Sequence, residues 1–133
     1  MITIDYRDKR PIYEQIVDKV RLLILRGVLK KDDAMPSVRS LALELSINPN
    51  TIQKAYQELE RMGYIYSVRG RGSFIGDSQI VMEEAVEEVK SDIEALILKA
   101  KDAGIGLKRL LVMVEQTGKE KEAGTHDRGE GNQ

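Results

Sequence analysis

The chain has 133 residues, 41% hydrophobic and 32% charged, with no cysteine, no tryptophan and a formal net charge of −1. That suits one domain, or a small domain with an appendage. It excludes a disulfide framework and thiolate chemistry, and no run approaches the ~18 apolar residues of a membrane span. Asp5, Arg7 and Asp8 leave no room for a signal peptide, so a soluble, cytoplasmic protein is expected. Charge is uneven along the chain. Residues 1–78 carry 13 Lys/Arg against 10 Asp/Glu, and residues 79–133 carry 8 against 12. A basic front and an acidic back imply two tasks.

In chain order, Pro11 suits the first position of a helix. Ile12, Ile16, Val20, Leu23 and Ile24 follow at steps of three and four, the apolar stripe of an amphipathic helix that stops at Gly27. "KKDDAMPS" reads as a loop. Ser37 caps a short second helix through Leu45, with Val38, Leu41, Ala42 and Leu45 facing the core. Asn48 caps a third helix whose first turn holds Pro49. Its inward face is Ile52, Ala55, Tyr56 and Leu59, and Gly63 ends it. "YIYSV" has strand composition, "RGRG" makes a glycine-rich turn, and "SFI" returns as a second strand. Three helices and a hairpin within about 70 residues predict a winged helix-turn-helix.

From Ser78 the pattern changes. Met82, Val86, Val89, Ile93, Leu96, Ile97 and Ala100 form a long helical stripe beside Glu83, Glu84, Glu87 and Glu88, which read as a solvated acidic face. Gly104 and Gly106 interrupt it, and Leu107, Leu110, Leu111 and Val114 form a shorter stripe. Residues 118–133 are polar and glycine-rich, and disorder is expected there. The fold class is therefore mainly α with a small β-hairpin. Residues 1–77 form a winged helix-turn-helix, 78–117 a helical hairpin, and 118–133 a tail.

The polar start of the third helix points to a function. Asn50, Lys54 and Gln57 lie opposite its core face, flanked by Thr51 and Gln53. Amides pair bidentately with adenine, and threonine reaches bases or the thymine methyl. Helix-start N–H groups and the positive dipole end favour phosphate. In a helix-turn-helix the second motif helix reads the major groove with its N-terminal residues. Asn-Pro-Asn-Thr is equally a well-capped helix start. Arg39, off the apolar stripe of the preceding helix, can point at the same groove entrance, and is equally read as a solvated surface arginine. Arg69 and Arg71, set between Gly70 and Gly72, suit a narrow basic loop that meets phosphates or the minor groove.

The stretch "PSVRSLALELSINPNTIQKAYQELERMGYIYSVRGRGSFI", preceded by "RPIYEQIVDKVRLLILRGVLKKDD", resembles the DNA-binding domain of the GntR family of bacterial transcription regulators. The pieces Pro36-Ser37-x-Arg39-x-Leu41-Ala42, Asn48-Pro49-Asn50-Thr51, Ala55-Tyr56-x-x-Leu59-Glu60 and Gly70-x-Gly72-x-Phe74 carry the likeness over residues 4–76. The short helical remainder is similar to the YtrA-type subfamily. The resemblance implies that Arg39, Asn50, Thr51 and Gln53 meet DNA from the two motif helices, with Asn48 at the tip, and that Gly72 lies in the minor groove. Ser37, Lys54, Arg69 and Arg71 are expected to contact DNA beside them. One departure stands out. Where relatives often have Pro-Gly-Asp, this chain has Lys31-Asp32-Asp33, and a differently shaped loop is expected because Asp tolerates a left-handed backbone less well than Gly.

A small hairpin cannot bury both apolar stripes alone. Val86, Val89, Ile93, Leu96, Ile97, Leu107, Leu110, Leu111 and Val114 are expected to pair two copies. The alternative is that these helices fold back on the winged helix. The resulting expectation is a homodimeric, sequence-specific transcriptional repressor on a palindromic site in double-stranded DNA. The rival is a protein-interaction module that uses a winged helix without DNA. No enzyme is expected, since only about 57 residues follow Gly76 and no nucleophile–base pair is visible. His126 is the only histidine, so no metal or cofactor is expected. Two short helices enclose little volume against the ~300–1,000 Å³ of common ligand pockets, and the residues specify no effector.

Overall fold

The structure, a computed structural model, describes residues 2–131, with side chains through Gly124. Five helices and a hairpin follow in the order α1 (Ile12–Leu25), α2 (Val38–Leu45), α3 (Pro49–Arg61), β1 (Ile65–Val68), β2 (Gly72–Ile75), α4 (Ser78–Asp102) and α5 (Leu107–Gly131). The chain divides into two compact units, one through Val86 and one from Glu87. No helix among the described residues is long and apolar enough to cross a membrane.

The core of the first unit is the one that the stripes predict. Ile16, Val20 and Ile24 of α1, Leu41 and Ala42 of α2, and Ile52, Ala55, Tyr56 and Leu59 of α3 are buried together. Tyr64, Ile65 and Ile75 of the hairpin join them. At about 1.5–3 kcal/mol per buried large apolar side chain, this cluster is the main stabilising term. Ser37 caps α2 by accepting from the Ser40 N–H at 3.0 Å. Pro11, placed by the sequence in the first turn of α1, instead sits one residue earlier as its N-cap, with extended backbone at ψ 146°.

Helices α1 to α4 close alike. The residue after the C-cap region turns left-handed and the next N–H reaches five residues back: Val28 to Leu23 O, Ile47 to Ala42 O, Tyr64 to Leu59 O and Ile105 to Ala100 O. Glycine supplies the positive φ in three of them, and Ser46 (φ 55°) in the helix-turn-helix. There the three residues Ser46, Ile47 and Asn48 join α2 to α3.

β1 and β2 pair antiparallel, with Tyr66 opposite Phe74 and Val68 opposite Gly72. The α1–α2 loop adds a third edge that its sequence did not announce. Asp32 N–H donates to Ile75 O, Ile75 N–H to Asp33 O, and Met35 N–H to Ser73 O, each at 2.8 Å. Asp32 takes the left-handed conformation at φ 71°, so the loop accommodates Asp at a backbone position that favours Gly.

Two boundaries differ from those read in the sequence. The first is at 86/87 rather than 77/78, because the first turns of α4 pack on the winged helix. Val81 is fully buried in its core, and the Tyr64 hydroxyl bonds the Glu84 carboxylate. Glu84 is thus not simply part of a solvated acidic face. The second concerns the tail. α5 continues to Gly131 where disorder was expected from residue 118, and residues 132 and 133 lie outside the described residues. Gly118 costs a helix about 1 kcal/mol. Its neighbours Lys119, Glu120, Lys121, Glu122 and Ala123 are good helix formers, and Glu115 pairs with Lys119 at 3.3 Å across one turn.

In the second unit Ala100 and Leu110 are buried. The other apolar residues of the two stripes are open. Val89, Ile93, Leu96, Ile97, Leu107, Leu111 and Val114 are each 42–61% exposed, as is Val86 at 53% in the first unit. Leu96, Leu110, Met113, Val114 and Thr117 line an apolar groove of about 400 Å³.

Candidate nucleic-acid interface

The start of α3 is built by its own sequence. The Asn48 side-chain oxygen accepts from the Asn50 N–H at 2.9 Å, and Pro49 occupies the first turn. Thr51 and Ile52 N–H groups donate to Asn48 O at 3.0 and 3.4 Å. Proline has no N–H. The first turn of α3 therefore offers no unpaired backbone donor, which corrects the expectation of N–H groups within that turn free to hold phosphate. What the tip presents is side chains. Asn50, Gln53 and Gln57 are exposed and Thr51 is half-buried. Asn48 is exposed too, but its amide oxygen is committed to the cap.

α2 is the helix with open donors. Ser37 Oγ takes the Ser40 N–H and Ser37 O takes that of Leu41. The Val38 and Arg39 N–H groups have no acceptor among the described residues. Arg39 is exposed and makes no ion pair among them. Positive guanidinium and helix-start dipole thus coincide at α2 rather than at α3.

Tyr56 ties the two helices together. Its ring is buried in the core, and its hydroxyl donates to Pro36 O at 2.6 Å, directly ahead of the α2 cap. Burial pushes this phenol well above its ordinary value of 10.0. Tyr64 is also raised, to about 12, by burial and by the neighbouring Glu84 carboxylate. Both stay neutral in the folded protein at pH values where the unfolded chain has lost those protons. Stability that is full below pH 10 is therefore lost as pH rises toward and past 12. Tyr56→Phe is expected to cost about 1 kcal/mol at neutral pH and to make the alkaline decline shallower. Urea unfolding between pH 7 and 11 measures both effects.

Lys54 is turned differently from its neighbours. Its ammonium lies over the Tyr13 ring of α1, 4.1 Å from the centroid. One turn further on, Arg61 binds Glu58 at 2.9 Å and holds that carboxyl below the usual range. The polar, uncharged surface of α3 is thus confined to its first two turns.

The hairpin carries the remaining candidates. Arg69 and Arg71 are exposed and unpaired among the described residues, and Arg71 N–H closes the turn on Val68 O at 2.9 Å. Gly70 has φ 79° and Gly72 φ 103°, conformations that a side chain would strain. No hydrogen bond or ion pair among the described residues ties this tip to α2 or α3. Below it, Tyr66 stacks on Phe74 with centroids 5.7 Å apart and donates to Asp32 Oδ1 at 2.7 Å. The sequence reading did not single out this pair, although an Asp in place of Gly in the loop was its visible sign. Among the described residues no cluster of three His, Asp or Glu could hold a metal ion.

The profile of "Bacterial regulatory proteins, gntR family" matches residues 12–75, the span from α1 to β2. The chain is 44% identical to the HTH-type transcriptional repressor YtrA of Bacillus subtilis, over 83% of this chain and 86% of that one. It superposes on a transcriptional regulator from Oenococcus oeni with a TM-score of 0.75 at 33% identity, covering 88% of this chain and 98% of the other. YtrA from Sulfolobus acidocaldarius, described as a GntR-family transcription factor, gives 0.54 at 35% identity over 68% of this chain and 97% of its own.

Proposed function

We propose, for a chain that belongs to the GntR family of bacterial regulatory proteins and is a DNA-binding transcription regulator, that it represses transcription as a homodimer on a palindromic operator. The observation that carries the paired form is the open apolar surface of α4 and α5. Eight of its residues, from Val86 to Val114, are each at least 42% exposed. Exposed large apolar side chains that recur along two helices mark an association surface. A second copy of the same stripe is the occupant that fits, because a two-fold axis makes the patch its own complement.

On each half-site, Asn50, Thr51 and Gln53 reach base edges. Arg39 and Ser37 hold phosphate at the start of α2, where open N–H groups and a guanidinium lie together. Asn48 acts chiefly by capping α3, and Lys54 reaches the backbone from its perch on Tyr13. Arg69, Arg71 and Gly72 serve the wing. Repression follows if the operator overlaps a promoter, and the protein is expected in the cytoplasm, where the chromosome lies.

Footprinting of the purified protein across genomic DNA tests this reading. The expected result is protection of paired inverted half-sites whose centres are one helical turn, or a multiple, apart. Single, unpaired sites would remove the homodimer. No protection at all, with a pull-down that survives Arg39→Glu, would favour a protein-interaction module.

A further inference from the structure

We propose that the Asp32–Tyr66 hydrogen bond is a latch that sets the direction of the wing, making both residues positioning residues for DNA binding. The inference rests on the DNA-binding reading above. The loop strand pairs with β2 only along its base, through Asp32, Asp33 and Met35 to Ile75 and Ser73. From Val68 to Gly72 the hairpin has no third strand beside it. A two-stranded ribbon of this length is marginal by itself. Tyr66 lies one pair short of the Ser67–Ser73 position where that support ends, stacked on Phe74 and bonded to Asp32. Together with the Met35 N–H bond to Ser73 O, its hydroxyl bond ties the base of the wing to the α1–α2 loop, and it is the one side-chain hydrogen bond among the described residues that does so.

Asp32 pays for its place in backbone conformation. At φ 71° it occupies a region that disfavours side chains, and its N–H is already used on Ile75 O. A glycine would meet the backbone demand better but would have no carboxylate for Tyr66. The side chain is therefore explained by the bond it makes to the wing and not by the turn it sits in.

That distinction gives the test. Asp32→Gly removes the latch while relieving the left-handed backbone, and Tyr66→Phe removes it while keeping the ring stack. Amide 15N relaxation of the free protein reads the latch without DNA. Fluorescence anisotropy on a duplex recovered by footprinting, with thermal melts alongside, reads its consequence. Both variants are expected to loosen residues 68–72 and to weaken binding roughly three- to tenfold. Asp32→Gly is expected to keep or raise the melting temperature. The weakening should vanish in an Arg69→Ala/Arg71→Ala background, where the tip has nothing to position. A tip that stays equally rigid in both variants overturns the latch. A loosened tip with unchanged affinity overturns the positioning role, as does a loss that persists without the two arginines. If the parent protein binds no duplex while the tip loosens, the DNA reading has failed and the latch stands as a structural tie only.

Discussion

Replacing Ile93 and Leu111 together by glutamate is expected to leave a monomer whose operator affinity is lower by about 10²–10⁴-fold. Both side chains are about half exposed, and neither belongs to the core of the winged helix. Two carboxylates per chain would have to be desolvated against the partner copy, a penalty of several kcal/mol for each buried unpaired charge. In a free single chain they stay in water. The variant should therefore keep the thermal transition of its winged helix while sedimenting at half the mass. Each remaining half-site is then bound without the effective concentration that a second, tethered reader supplies. A variant that stays dimeric would show that the stripe is not the pairing surface. A monomer with parental affinity would show that one winged helix suffices.

Asn50→Ala carries the second large effect, about 1–3 kcal/mol at a single base pair of each half-site. The backbone N–H of Asn50 is held by Asn48 and does not depend on its own amide, so the helix start survives the change. Binding to the parental operator should fall, while operators altered at the contacted base should bind as before, because the lost amide no longer distinguishes them. Arg71→Ala supplies the contrast. Its guanidinium has no partner within the described residues, so its loss should weaken all sequences alike and lower the salt slope by about one. Titrations of both variants against a panel of single-base operator changes, at several salt concentrations, separate the two patterns. Parallel losses across the panel for Asn50→Ala would move base reading elsewhere on α3.

Much of this architecture is written in local patterns. Ser37, Leu45 and Asn48 mark helix ends correctly because a cap hydrogen bond or a left-handed turn is settled by neighbours in sequence. The missed features depend on distant partners. No periodicity announces that Asp33 to Met35 will pair with β2, since three residues are too few to alternate. Lys54 was placed on the outer face by helical geometry, yet Tyr13, some forty positions earlier, draws its ammonium aside. Likewise Val81 belongs to the winged helix because that core has room for it, although its neighbours in sequence have the composition of the second unit. The occupied N–H groups of α3 are the exception. Asn-Pro-Asn states them outright, since Pro brings no donor and Asn48 claims the next.

That last arrangement bears on how the protein finds its target. Attraction to arbitrary duplex is almost wholly a matter of phosphate neutralisation, and here it falls to the start of α2 and the wing arginines, while the first turn of α3 keeps its backbone donors occupied and offers side chains. Grip and choice are thus carried by different elements. Substitutions on the outer face of α3 could redirect the protein to another promoter without changing how firmly it holds unrelated chromosome.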